Sequence, residues 1–350
     1  MRRFNLMEEY SSIISNSNII NLISKIHEYK GKQSYLLDSK KDALETLLKV
    51  ARIQSTSSSN KIEGIYTTDK RINEIVNQKV EPKNRNEEEI AGYRDVLTLI
   101  HENYNFIDIN QNTILQLHRD LYKYTGYSYG GKFKNSQNFI EEENENGKKK
   151  IRFTPLSPIE TPIAIEDLCK NYNNLVNNEL CDLLVLIPIF ILDFLSIHPF
   201  NDGNGRMSRL LTLLLLYKAN YMVGKYISIE KIIEETKDSY YDTLEKSSIN
   251  WYNNENDYSY FVEYYLGIIL NAYKEFDSRI SIIENKKITA YDRIIDIFKN
   301  NIIPIDKAFV TNKCPDLSET TIERILNKLL KEENIVKISG GRYTKYKWNN

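Results

Sequence analysis

His198-Pro199-Phe200-Asn201-Asp202-Gly203-Asn204-Gly205-Arg206-Met207-Ser208-Arg209 decides how this chain is read. The segment stands between two leucine-rich stretches, Leu183 to Ile197 and Arg206 to Tyr217, each with the apolar density of a buried helix. A polar, glycine-containing loop in that place predicts an anion cradle. Gly203 and Gly205 let backbone amides face a ligand, the following helix adds its positive end, and Arg206 and Arg209 lie three apart on one helical face. Two guanidiniums and a row of amides suit a polyphosphate. Asp202 offers a carboxylate to a divalent ion bridging to phosphate oxygens, as Mg²⁺ prefers. His198 stands beside the cradle, and an imidazole suits removal of a proton from a hydroxyl. Singly, each feature has an ordinary explanation: a cap, a turn, a surface ion pair. Their coincidence in twelve residues carries the reading.

Outward from the loop, the chain is built for helices. Its 350 residues include only 13 Gly and 8 Pro, about 6% together against roughly 12% in average proteins, and this scarcity predicts a mainly α fold. Hydrophobic residues are 41% and charged residues 27%, with 47 basic against 48 acidic side chains. That balance excludes a polyelectrolyte tail and a protein that binds nucleic acid by bulk charge. Cys169, Cys181 and Cys314 show no metal-ligand or disulfide spacing, which fits a reducing cytoplasm. No export signal is read at the start, and the greasiest run, Leu183 to Leu192, is far short of the ~20 residues that cross a bilayer.

Helical spacing runs from about 42 to 64, with Gly64 as its stop, then from Glu87 to His101 and Thr113 to Tyr122. Tyr129-Gly130-Gly131 breaks the pattern. Phe133 to Phe139 and Lys150 to Phe153 flank a charged turn with Asn146-Gly147 near its tip, a hairpin signal. Helices resume at Ile163 to Leu175, at Leu183 to Ile197 with Pro188 as a kink or first-turn residue, and at Ser228 to Ser247 and Tyr258 to Ile283. After a polar link at Asn285 to Thr289, the order is helix (Ala290 to Asn300), short helix (Ile305 to Val310), a helix capped by Ser318, and a terminal hairpin through Gly340-Gly341. That order predicts a winged helix.

The twelve residues resemble the signature of the Fic family (filamentation induced by cAMP), His-Pro-Phe-x-Asp-Gly-Asn-Gly-Arg-x-x-Arg, at every specified position. Gly131 to Ile140 with Arg152-Phe153-Thr154-Pro155 is similar to the family's flap, and Ser59-Asn60-Lys61-Ile62-Glu63-Gly64 to its inhibitory motif, N-terminal to the core as in class II members. The resemblance covers roughly residues 40 to 280. It implies three regions: an N-terminal helical segment (1–90) with the inhibitory helix at about 42–64, a Fic core with following helices (91–284; flap about 131–155, motif 198–209), and a winged-helix-like companion (285–350).

The resemblance further implies transfer of AMP from ATP to a Ser, Thr or Tyr hydroxyl of a target protein, with this chain itself a candidate target. His198 is then the general base and Asp202 the Mg²⁺ ligand. Gly203, Asn204 and Gly205 form the phosphate cradle, Arg206 and Arg209 grip the outer phosphates, and Tyr240 and Tyr241 flank the adenine. Ser59 and Glu63 share a helical face, so Glu63 is expected to pair with Arg209 and keep activity low. His27, His101 and His118 are expected to be structural. A homodimer is among the expected partners; a membrane is not.

The alternative is a DNA-binding regulator whose core senses nucleotide. Arg324, Lys328 and Lys331 on the expected recognition helix, and Lys337, Arg342, Lys345 and Lys347 after it, favour that reading. Glu319 and Glu323, where base contacts would be made, oppose it.

Overall fold

The computed structural model describes residues 4–39, 41–143, 149–284, 289–301, 303–339 and 344–349. Its elements run α1 (Leu6–Ile13), α2 (Ser17–Ser39), α3 (Lys41–Ile62), α4 (Asp69–Asn73), α5 (Arg85–Asn103), α6 (Gln111–Leu121), β1 (Ile140–Glu143), β2 (Lys149–Phe153), α7 (Thr161–Asn177), α8 (Leu183–Ile197), α9 (Asn204–Lys218), α10 (Ile229–Glu235), α11 (Lys237–Ser248), α12 (Ser259–Glu284), α13 (Ala290–Lys299), β3 (Ile305–Asp306), α14 (Lys307–Lys313), α15 (Glu319–Lys331), β4 (Ile335–Lys337) and β5 (Lys345–Trp348). The fold is mainly helical, as the scarcity of chain breakers predicts. No described helix is long and apolar enough to cross a membrane. Two compact units are present, Met1–Gly31 with Ala51–Tyr273, and Lys32–Val50 with Lys274–Asn350.

The first unit is organised around α8, which is buried along nearly its whole length. Asp182 starts it by accepting from the Leu184 amide at 2.9 Å. Pro188 lies inside the helix rather than in its first turn. The one acid, Asp193, accepts from Trp251 Nε1 and the Tyr258 hydroxyl, each at 2.7 Å, so the apolar helix buries no unpaired charge there. Against α8 pack α1, α7, α9 and α11, and α9 packs in turn on α5. The site loop is therefore a short connection between two helices fixed by the core.

Three local expectations change. The first flap strand starts only at Ile140, pairing antiparallel with β2 from Ile140↔Phe153, with an irregularity before Glu141↔Ile151; Phe133 to Phe139 is not a strand because two of its side chains are spent elsewhere, as described below. Ser228 to Ser247 is two helices that part at Thr236, whose backbone leaves the helical region at φ −117° and ψ 30°. Ile305-Asp306 is a strand, and a helix begins only after Asp306 caps it. Asn146-Gly147, Gly340-Gly341, Arg342 and most of the Asn285 to Thr289 link lie outside the described residues.

In the second unit, α13, α14 and α15 pack Ile294, Ile297, Phe298, Val310, Ile322, Ile325 and Leu329 together with Ile305 and Ile335. A three-stranded antiparallel sheet of order β3-β5-β4 completes it. Ser318 caps α15 by accepting from the Thr321 amide, as its sequence signals.

Candidate active site

α8 ends on His198, whose backbone turns left-handed at φ +51° while its amide still donates to Phe194 O at 3.0 Å. That conformation is unusual for a residue with a side chain. Its ring Nδ1 lies 3.2 Å from Leu195 O. A carbonyl only accepts, so Nδ1 carries the proton and Nε2 keeps a free lone pair. Burial holds the ring's pKa down to about 4, with the Lys134 ammonium acting in the same direction against Leu195 O, Glu63 and Asp202. At neutral pH His198 is a neutral imidazole, the form a proton acceptor needs.

The loop that follows is built from its own residues. Asn204 accepts from the Phe200 amide at 2.9 Å and donates to Phe200 O at 2.8 Å, closing the turn. The Phe200 ring stacks on His118 at 3.6 Å between centroids and 3° between planes. His118 reaches Asp202 O with Nε2 at 3.0 Å and accepts the Gly131 amide on Nδ1 at 3.0 Å, tying α6 to both loop and flap. Gly203 sits at φ +83°, and a Cβ there would lie 2.9 Å from the Tyr122 hydroxyl, so two independent constraints require glycine. Asp202 Oδ1 accepts from the Gly203 amide at 2.7 Å, and its side chain is 48% exposed. The first intrahelical bond of α9 is Met207 N to Gly203 O. The preceding amides of Asn204, Gly205 and Arg206 form the positive end of the helix.

A cleft of about 770 Å³ opens beside this loop. His198, Gly205 and Arg209 line it together with Tyr240 and Tyr241 of α11, Glu63 from the end of α3, and Ile140, Arg152 and Phe153 of the hairpin. Tyr240 and Tyr241 meet edge to face at 5.3 Å. Of the two arginines expected to act together, only Arg209 lines the cleft. Arg206 is fully buried one step around α9 from the cleft, 2.8 Å from Glu89 of α5, and donates to the Tyr122 hydroxyl at 2.6 Å. Three residues of helix separate the two by one step around the axis, and Glu89 captures the nearer one. Gly203 and Asn204 likewise do not line the cleft, and the Asn204 amide is consumed by Phe200; both shape the loop, and Gly205 alone of the three faces the opening. A larger groove of about 1320 Å³, rich in asparagines of α6 and α7, contains none of these residues.

Arg209 is held through three of its five N–H groups. Its Nε donates to Ser59 Oγ, and Nη2 donates to Ser59 O and to Glu63 Oε1, all at 2.8 Å. A Cβ on Gly205 would lie 2.2 Å from Glu63 Oε1, so the carboxylate rests directly on the loop. α3 delivers it because the chain reverses there: Gly64 at φ +78° donates to Lys61 O and Ile65 N to Asn60 O, a Schellman ending. The helix approaches with hydroxyls. Ser55 Oγ donates to Glu230 Oε2 at 2.7 Å, and Ser58 Oγ to Glu234 Oε2 at 2.6 Å. Exposed Lys237 donates to Ile62 O at 3.0 Å. Glu89, Lys134, Asn138 and Lys237 were not singled out from sequence, since a lysine in a flap or an acid in the run Glu87-Glu88-Glu89 carries no local signal of burial.

Residues 108–216 match the family model described as Fic/DOC family. The protein adenylyltransferase Fic of Drosophila melanogaster is 29% identical over 202 residues, which is 53% of this chain and 38% of that protein. The chain thus spans well under half the length of the curated relatives it matches. Among solved structures, a Fic family protein from Desulfovibrio desulfuricans G20 superposes with a TM-score of 0.62 at 20% identity, covering 96% of this chain and 97% of that one. Fic-1 (residues 134–508) of C. elegans gives 0.62 at 17% identity, covering 79% and 76%. These likenesses show the fold, and it is residues 108–216 that carry the match to the Fic/DOC family model.

Proposed function

We propose that this chain is a protein adenylyltransferase that moves AMP from ATP to a hydroxyl of a target protein and is held inactive by Glu63. One observation carries the reading: a neutral His198, the glycine-205 end of an α-helix and the Arg209 guanidinium converge on one cleft, with a carboxylate already in the anion's place. The relatives named protein adenylyltransferase support the same chemistry.

In this reading His198 Nε2 takes the proton of the target hydroxyl as its oxygen attacks the α-phosphorus, and pyrophosphate leaves. The amides at the start of α9 and Arg209 neutralise the developing charge. Tyr240 and Tyr241 offer the base an aromatic wall. Arg206 and Asn204 act on the loop rather than on the nucleotide. Mg²⁺ keeps several waters and asks for one or two carboxylates besides phosphate oxygens. The solvated Asp202 carboxylate at the loop fits that demand. The ion would supply charge neutralisation of the phosphates. The hairpin of β1 and β2 forms the cleft's other wall and is suited to hold an extended target segment by backbone bonds.

Glu63 competes for the same guanidinium as the outer phosphate, which is the basis for autoinhibition. The helix and sheet order of the second unit supports its assignment as a winged helix, and three free cysteines support a reducing cytoplasm. The DNA-binding alternative is weaker, because Lys328 of the expected recognition helix already lies 3.7 Å from Glu332 and 4.3 Å over the Tyr291 ring. The test is incubation with α-labelled ATP and cell lysate. Label on protein should rise at least about tenfold in Glu63→Gly and vanish when His198→Ala is added; equal labelling in all three proteins would refute the proposal.

A further inference from the structure

We propose that the root of the flap, through Lys134 and Asn138, is the positioning device that fixes the His198 turn and couples it to the hairpin. The proposal rests on the adenylyltransferase reading only in naming His198 the base. Four consecutive carbonyls cross the end of α8, and donors from the flap root meet all of them. Lys134 Nζ donates to Ile197 O at 3.0 Å, and the Lys134 amide donates to Pro199 O at 2.9 Å. Asn138 Nδ2 donates to Phe200 O at 3.0 Å and lies 3.4 Å from His198 O. Lys134 Nζ also donates to Asn138 Oδ1 at 3.0 Å, joining the two clamps. A left-handed residue persists only where its surroundings over-determine it. Here the over-determining groups belong to the segment that leads directly into β1.

The ammonium does more than a neutral donor would. Lys134 is 3% exposed, and a charge buried that deeply is retained at a cost that an apolar side chain would avoid. It sits at the negative end of α8, where cations are favoured. Burial lowers its pKa to about 8, with Glu160 opposing, so the group is charged at neutral pH. The charged groups facing His198 are Lys134 from the flap root, Glu63 from the end of α3 and Asp202 from the loop, with Arg209 lining the same cleft. Only the lysine among the first three disfavours imidazolium. Burial is the larger cause of the neutral ring, and Lys134 adds to it while the same side chain holds the turn.

The test follows the His198 ring by NMR through an acid titration of the full chain, with the signal assigned by its loss in His198→Gln. In Lys134→Met the midpoint should rise by about one pH unit, and Lys134→Arg should restore it. In the Glu63→Gly background, Lys134→Met should lower kcat about ten- to a hundredfold and leave KM for ATP within about twofold. The acid limb of the rate should move up with the ring. Asn138→Ala keeps the ammonium and should lower kcat without moving the midpoint, which preserves the test if Lys134→Met does not fold. An unmoved midpoint in folded Lys134→Met, or a loss of rate that is entirely KM, overturns the proposal. A midpoint that moves as expected in a chain showing no AMP transfer in any variant supports the positioning role and counts against the adenylyltransferase reading instead.

Discussion

α8 and the last turns of α3 each deliver one titratable side chain to the cleft, and different forces hold them in place. α8 brings His198 on a helix whose residues from Leu184 to Phe194 are all buried, with α1, α7, α9 and α11 packed against it. α3 brings Glu63 past Ser55, Thr56, Ser58, Ser59 and Asn60, five polar residues buried to 2% exposure or less. Apolar burial at roughly 25 cal/mol per Å² makes the first placement as permanent as the fold. Hydroxyl-to-carboxylate bonds exchange for water with a net gain of about 1 kcal/mol each, so the second can be released without unfolding the rest. The base is built in, and the proposed inhibitor is latched on.

The largest effect that could break this contrast is expected in α8. Phe190 is fully buried, with its ring 5.0 Å from Tyr172. Phe190→Ala should cost about 3–5 kcal/mol of stability in urea unfolding and should not raise AMP transfer at any denaturant concentration. A rise in transfer would mean that α8 too is a regulated element. The next effect is smaller in stability and opposite in activity. Ser55→Ala with Ser58→Ala leaves Glu230 and Glu234 each short of a donor, at about 1–2 kcal/mol per site. Basal transfer should rise toward the Glu63→Gly level, and amide exchange should quicken over residues 53–63 while α8 stays protected. Unchanged exchange there would show that the latch is apolar after all, through Ile53 and Ile65, which pack on Ile72, Ile75 and Ile90.

The same contrast explains what the sequence reveals. The two long apolar helices, the glycine loop between them and the Gly64 stop are legible because local pattern and local chemistry agree at those positions. The pairing of Glu63 with Arg209 was expected from motif and face, and the two meet at 2.8 Å. Where sequence reading misses, a distant partner decides. Helical spacing, which is all that the sequence displays, sets Arg206 beside Arg209, whereas Glu89 of α5 claims it. Phe133 to Phe139 has the look of a strand, yet Lys134 and Asn138 are drawn to the carbonyls of Ile197 to Phe200. Serines in a row suggest a solvated helix, and burial of Ser55 and Ser58 rests on acids more than 170 positions away, on α10.

Lys237 sharpens the comparison with the smallest expected effect, and a double variant separates its two roles. Its ammonium caps Ile62 O at the end of α3 and also stands 5.8 Å from the centre of the Tyr241 ring in the cleft. A cation on the last carbonyls of a helix contributes about 0.3–1 kcal/mol, so Lys237→Ala should loosen the latch and raise basal transfer by about two- to fivefold. If the lysine instead serves the nucleotide, the same change lowers transfer. Glu63→Gly decides between them, because with the inhibitory carboxylate gone a latch has nothing left to hold. In that background Lys237→Ala should leave kcat/KM for ATP unchanged, and the gain seen alone should disappear, a coupling that a merely additive contribution to either helix would not produce.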